Sequence, residues 1–310
     1  MKTDAVTFAD LAGSVLAVPP LARNADFTFN KAANAALVKH IEGGGVTTLL
    51  YGGNANFYNI GLHEYASILD ALTELAAPGT WVIPSVGPDY GKLLDQAAVL
   101  KTRRFPTAMV LPMTFPSTPG GAVTGLRKFA EAYGKPIIVY VKAEGYLTPE
   151  GVKQLVDDGI VAAIKYAIVR PDPTKDVFLS QLVELVDRKY IVSGIGERPV
   201  ITHLRDFGLN GFTSGSVCVA PQGSMQILHA CKRKDWDTAA KIRANYIPLE
   251  DARDAYSPIR VLHEAIRLAG IADTGPLLPL LSNIESDKHE EIKKAASALL
   301  AADAVVSRGL

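Results

Sequence analysis

Residues 161–169 read Val-Ala-Ala-Ile-Lys-Tyr-Ala-Ile-Val, and eight of these nine residues are apolar or aromatic. Such a run, bounded by turn-forming residues on both sides, is typical of a strand buried on both faces. Burial removes hydration from the lysine ammonium, so the pKa of Lys165 should fall, and its neutral amine could form a Schiff base with a carbonyl compound. Positions 163 and 167 share a face with Lys165 and are alanine, which leaves room for a substrate. The alternative is a structural lysine that reaches water or pairs with a buried carboxylate.

Composition narrows the class of protein. The 310 residues include 32 basic and 32 acidic side chains, so no net charge favours nucleic acid or an anionic membrane as a partner. Two cysteines exclude a disulfide scaffold and are typical of a reducing compartment. No apolar run is long enough for a signal peptide or a membrane span, so we expect a soluble, cytoplasmic protein.

Short apolar runs alternate with helical patterns along most of the chain. The predicted strands cover residues 14–20, 46–52, 81–86, 108–113, 136–142, 161–169, 190–194 and 211–217. Eight strand–helix units in strict alternation predict a (β/α)8 TIM barrel. A doubly wound open sheet is the alternative, but no Gly-x-Gly-x-x-Gly turn follows the first strand. We therefore divide the chain into a barrel over residues 1–233 and a helical C-terminal region over residues 234–310.

Barrels of this kind carry their chemistry at the carboxyl ends of the strands. Tyr140 and Lys142 lie together at the end of the fifth predicted strand, and a tyrosine hydroxyl could relay protons during Schiff-base chemistry. The Gly-Gly-Asn turn after the second strand exposes backbone N–H groups that could hold a carboxylate. Taken singly, the tyrosine could be a core residue and the glycines only a tight turn. The six histidines form no His-x-x-x-His or His-x-His pair, so we predict no metal site.

The strand ends described above, together with two C-terminal segments, resemble the dihydrodipicolinate synthase / N-acetylneuraminate lyase family of Schiff-base barrels. They are residues 44–65, 135–141, 160–167, 193–194, 257–260 and 275–279. The resemblance implies that Lys165 is the Schiff-base lysine and Tyr140 the proton relay. It also implies that Gly53 and Asn54 bind the carboxylate of a 2-oxo acid through their N–H groups, that Gly194 lines the substrate site, and that the protein is a homotetramer. The imine on Lys165 would be the covalent intermediate, with no other cofactor.

Departures from the family pattern bear on the substrate. The usual Gly-Thr-Thr-Gly-Glu turn is Gly-Gly-Asn-Ala-Asn over residues 52–56, so the relay threonine is missing. Residues 112–115 replace the tyrosine pair of the synthases, and the arginine that follows the relay tyrosine in synthases is absent. These differences favour an aldolase or dehydratase acting on pyruvate or a 2-oxo deoxy-sugar acid.

Two other functions are the alternatives: a condensation like that of the synthases, and a catalytically impaired barrel that binds a 2-oxo acid. Lys142 and Arg198 are candidates for binding a distal substrate group, although each could equally be a solvated surface residue. Glu197 is a candidate acid or base, or a first-turn residue favoured by the helix dipole.

Overall fold

A computed structural model describes residues 1–306 of the chain. Its parallel strands form a closed barrel in which each strand pairs with its neighbours in sequence and the eighth pairs with the first. The strands are β1 Leu16–Ala17, β2 Thr48–Tyr51, β3 Trp81–Val86, β4 Met109–Val110, β5 Ile137–Val141, β6 Val161–Tyr166, β7 Ile191–Ser193 and β8 Gly211–Ser214. The predicted (β/α)8 TIM barrel is thus confirmed, together with its helical C-terminal extension.

Helices follow the strands and cover the outside of the barrel. They are α1 Phe8–Gly13, α2 Lys31–Gly43, α3 Leu62–Leu75, α4 Tyr90–Lys101, α5 Pro119–Tyr133, α6 Pro149–Asp157, α7 Val177–Leu185, α8 Val200–Arg205, α9 Pro221–Lys232, α10 Trp236–Arg243, α11 Ile247–Ala255, α12 Pro258–Leu268 and α13 His289–Val306. None of them is long and apolar enough to cross a membrane within the described part of the chain.

Local sequence sets where the helices begin. Thr118 and Thr148 each precede a proline, and each side chain accepts a hydrogen bond from a first-turn N–H of α5 or α6. Helix α5 then ends at Gly134, whose φ of 80° lies in the left-handed region that favours glycine. These signals turn the chain back over the barrel after β4 and β5.

Strand β3 has its predicted bounds, Trp81–Val86, whereas the other seven strands are shorter than the apolar runs that predicted them. The first run, residues 14–20, forms ladder pairs only at Leu16–Ala17, and residues 108–113 do so only at Met109–Val110. Most flanking residues are still buried, and the N–H groups of Val18 and Leu111 still donate to the carbonyl oxygens of Ser214 and Val86 on the neighbouring strands. The apolar character of each run therefore has two causes, strand pairing and packing beneath the helices. Periodicity alone does not separate these two causes.

The C-terminal helices share the core of the barrel. Leu249 and Ala252 of α11 and Val261 and Leu262 of α12 are buried in the same hydrophobic cluster as the strands. Helix α11 therefore rests directly on the barrel, close to the carboxyl ends of β7 and β8. The boundary at residue 233 stays a prediction.

Candidate active site

Lys165 and Tyr140 face each other on neighbouring strands. They are paired positions in the β5–β6 ladder, and Lys165 Nζ lies 4.3 Å from the centroid of the Tyr140 ring. The two side chains are only 4% and 8% exposed. Within residues 1–306 no carboxylate forms an ion pair with Lys165, so it is neither a snorkelling lysine nor half of a buried salt bridge.

The surroundings of Lys165 favour its neutral amine. The pKa of this lysine is lowered to about 7, chiefly by burial and in addition by the positive charges of Lys142 and Arg253. A nucleophilic, neutral amine is therefore available at neutral pH. Burial raises the pKa of Tyr140, so its hydroxyl keeps its proton and can donate it.

A cavity of about 210 Å³ opens at the carboxyl ends of the strands, above Lys165. It brings together most of the residues that the sequence singled out, namely Gly53, Asn54, Tyr140, Lys142, Lys165 and Gly194. Ala167 also lines it, as expected from its position on the lysine face. Lys142 is exposed at the mouth, although neighbouring atoms remove enough water from its ammonium group to lower its pKa.

Gly194 makes room for the lysine. A Cβ at this position would lie 2.8 Å from both Lys165 Cγ and Ala167 Cβ, and any side chain there would displace Lys165. Gly194 thus lines the cavity with backbone atoms only, which leaves the space that Lys165 needs.

The structure does not bring Arg198 into the cavity. Its guanidinium pairs with Asp251 at 2.6 Å and with Asp254 at 3.0 Å, and its side chain lies in a separate outer groove. Arg198 follows β7 by five positions, where the chain has already turned outward toward α8.

Glu197 also lies outside the lining of the cavity. It is completely buried and accepts hydrogen bonds from Ser214 Oγ at 2.8 Å and Ser224 Oγ at 2.5 Å. Burial raises the pKa of Glu197 to about 7, and the negative charge of Glu250 raises it in the same direction. The structure places this carboxyl in a polar network behind the cavity, not at a helix N-terminus facing water.

Four polar residues of the C-terminal region line the cavity but were not identified as site residues from the sequence: Glu250, Arg253, Asp254 and Ser257. Glu250 and Arg253 are buried, and they form an ion pair of 2.7 Å. The spacing of an acidic and a basic residue three apart on a helix could equally mark a surface pair. Only the glycines at 196 and 215, after β7 and β8, hinted that side chains approach there from another element.

Taken together, a closed barrel and a buried, partly neutral lysine beside a tyrosine define an enzyme of the class I, Schiff-base type. The family model for the dihydrodipicolinate synthetase family matches residues 14–299, and the chain belongs to this family. Its members' chemistry makes the chain a class I lyase or aldolase, as the sequence predicted.

Individual relatives are distant. The chain is 22% identical over 281 residues to a probable 5-dehydro-4-deoxyglucarate dehydratase of Streptomyces coelicolor, covering 87% of this chain and 86% of the relative. Its fold matches dihydrodipicolinate synthase from Bacillus clausii with a TM-score of 0.82, at 21% identity over 98% of this chain and 100% of the other. It matches a prophage protein of the same family from E. coli K12, solved in complex with pyruvate, with a TM-score of 0.81, at 20% identity over 92% and 98% of the two chains.

Proposed function

We propose that this protein is a lyase that forms a Schiff base between Lys165 and the ketone of pyruvate or a longer 2-oxo acid. The observation that carries the proposal is the environment of Lys165. A lysine that is 4% exposed and without a carboxylate partner in residues 1–306 has a pKa of about 7 beside a protonated tyrosine. A purely structural lysine gains nothing from such a site.

The charges around the cavity support an anionic substrate. Three cations line it, Lys142, Lys165 and Arg253, against two carboxylates, Glu250 and Asp254. Both carboxylates already pair with an arginine. Lys142 and the partly protonated Lys165 are then the basic lining residues without a carboxylate partner in residues 1–306, and their positive charge attracts a carboxylate.

Lys165 and Tyr140 together can supply the nucleophile and the proton transfers that the reaction needs. The neutral Lys165 amine adds to C2 of the 2-oxo acid, and the resulting carbinolamine loses water with a proton supplied by the Tyr140 hydroxyl. The protonated imine then accepts the electron pair released when a C–C bond breaks or when a proton leaves C3. In either case the deprotonated Tyr140 oxygen takes the released proton, from the C4 hydroxyl when the C–C bond breaks or from C3 otherwise. It then passes this proton to the enamine carbon or to the hydroxide that leaves C4 as water. Hydrolysis of the imine frees the Lys165 amine and returns a proton to Tyr140.

We propose dehydration as the reaction and a 2-oxo deoxy-sugar acid as the substrate. The Streptomyces coelicolor relative, whose name specifies a dehydratase, supports this choice. The loop after β4 supports it further, because its Phe115 has no hydroxyl and is 87% exposed, where synthases place a tyrosine pair. Lys142, at the mouth, is proposed to contact a distal hydroxyl or anionic group of the substrate.

Three further features belong to the proposal. The enzyme needs no cofactor, since the imine itself is the electron sink. The resemblance to the family supports a homotetramer, which light scattering would test. The free thiols of Cys218 and Cys231 support a cytoplasmic location.

Borohydride trapping tests the imine. The protein is incubated with pyruvate, reduced, digested and analysed by peptide mass spectrometry. We expect a pyruvate adduct on the peptide that contains Lys165, no adduct in Lys165→Met, and full trapping in the control Arg198→Gln. An intact wild-type Lys165 after reduction with pyruvate and with longer 2-oxo acids would contradict the proposal.

Turnover of a panel of 2-oxo sugar acids separates the reactions. A dehydratase gives a product lighter by one water, whereas an aldolase gives pyruvate and an aldehyde. An adduct with no turnover of any acid in the panel would instead indicate a barrel that only binds 2-oxo acids.

A further inference from the structure

Arg253 reaches the cavity from helix α11, through space left by glycine. A Cβ at Gly215, just after β8, would lie 2.8 Å from Arg253 Nη2 and 2.8 Å from Asn54 Nδ2. Gly196, after β7, makes similar room for Glu250, whose Oε2 lies 2.8 Å from the place of a Cβ there. Because Gly196 and Gly215 have no side chains, the Glu250–Arg253 ion pair of the C-terminal region can reach the mouth of the barrel.

The guanidinium of Arg253 is only partly satisfied. Nη1 donates to Glu250 Oε1 at 2.7 Å, and Nε lies 3.4 Å from the carbonyl oxygen of Pro258. In the described chain, Nη2 has no hydrogen-bond acceptor, and Arg253 is one of the residues that line the cavity. Because Nη1 and Nε hold the guanidinium in place, Nη2 is the nitrogen that can donate to a molecule in the cavity.

Other free donors converge on the same place. Asn54 Nδ2 donates to the carbonyl oxygen of Val18 at 2.9 Å, which leaves its second N–H available. The backbone N–H groups of Gly53 and Asn54 have no hydrogen-bond partner within residues 1–306. Since Arg253 Nη2 and Asn54 Nδ2 are each 2.8 Å from one point, they lie no more than twice that distance apart.

Hydrogen bonds of about 2.9 Å from two such donors can meet at a single acceptor oxygen. We infer that Arg253 binds the carboxylate of the 2-oxo acid together with Asn54, while the backbone N–H groups of Gly53 and Asn54 hold its other oxygen. This inference rests on the proposed function. It makes helix α11 part of the substrate site, with Glu250 as a positioning residue that fixes the guanidinium.

Trapping with two ligands tests the inference. Pyruvate carries the carboxylate, and pyruvamide replaces it with a neutral amide of the same shape. The variants are Arg253→Gln and the double variant Glu250→Gln/Arg253→Gln, which avoids leaving Glu250 buried without its partner. The control is Arg243→Gln, in the outer groove. Thermal melts establish that each variant is folded.

Loss of a hydrogen bond to a charged group predicts a rise of about 10- to 100-fold in the pyruvate concentration for half-maximal trapping. We expect less than a twofold change for pyruvamide, and no change for either ligand in the control. If both variants trap pyruvate as the wild type does, the inference is overturned. A defect confined to acids with a second carboxylate would overturn it too, because Arg253 would then bind a distal group.

Calorimetry separates this inference from the imine. Lys165→Met cannot form a Schiff base but keeps the carboxylate site, so it should bind pyruvate weakly. Adding Arg253→Gln should weaken that binding by a similar factor of about 10 to 100. If the wild type is not trapped while Lys165→Met binds pyruvate through Arg253, the proposed function fails and the inference stands. Absence of pyruvate binding, or binding that ignores Arg253, refutes the inference.

Discussion

Replacing Lys165 by methionine should stabilise the protein while it removes the Schiff-base amine. Methionine has a similar length and no charge, so it fills the same space without a buried amine. The folded protein holds the pKa of Lys165 at about 7, below its ordinary value of 10.5. The Lys165 amine therefore binds its proton more tightly in the unfolded chain than in the folded one. Near neutral pH this difference favours unfolding and destabilises the wild type relative to the methionine variant.

The size and the sign of the effect follow from these two pKa values. At about 1.4 kcal/mol per pH unit, the lysine costs the folded state roughly 4 kcal/mol at pH 7 and roughly 1 kcal/mol at pH 9.5. Between pH 7 and 10.5 the unfolded chain holds more protons, so the stability of the wild type rises with pH relative to the variant. The advantage of Lys165→Met should shrink by roughly 3 kcal/mol between pH 7 and 9.5.

Urea unfolding of both proteins at pH 7 and pH 9.5 measures this change. Groups common to both proteins cancel in the comparison, and so does the difference in packing between lysine and methionine. Lys241→Met, on the exposed surface of α10, serves as the control and should show no pH-dependent gap. A gap for Lys165→Met that is the same at both pH values would refute the assignment of a buried, deprotonating lysine.

Three further outcomes are expected. Tyr140→Phe should slow imine formation by about 100- to 10,000-fold while the protein stays folded, measured by the rate of borohydride trapping. Gly215→Ala should destabilise the protein by about 1–3 kcal/mol in urea and weaken pyruvate binding, since its Cβ would meet Arg253, whereas Gly120→Ala, with nothing within 4 Å, should do neither. Lys142→Gln removes a positive charge near Lys165, so the acid limb of the trapping rate should move to higher pH.

The fold was accessible from the sequence because the barrel repeats one simple pattern. Each buried strand is an apolar run, and each helix begins or ends at residues such as Thr148 and Gly134. The length of each strand was less accessible. Ladder pairing depends on the neighbouring strand, and runs such as residues 108–113 stay apolar beyond the two residues that pair.

The lysine side of the site was predicted for a related reason. Lys165 is a charge inside an apolar run, and Tyr140 lies at the corresponding end of the preceding strand, so both positions follow from local pattern. Arg253 was missed because its place in the cavity depends on how α11 packs on the barrel. Arg198 was expected nearer the cavity, since sequence distance from a strand end does not show where the loop turns outward.

Tyr166 fixes the register of strand β6 relative to its neighbours in the barrel. Its hydroxyl donates to Asp176 Oδ2 at 2.6 Å on the outer side of the barrel, and its ring stacks on Phe178. Successive strand residues point to opposite faces, so a slip by one position would turn Lys165 toward the outer side of the barrel and Tyr166 toward the inside. The tyrosine anchor makes that slip break a buried hydrogen bond. A residue with no part in the chemistry thus decides on which side of the barrel the amine emerges.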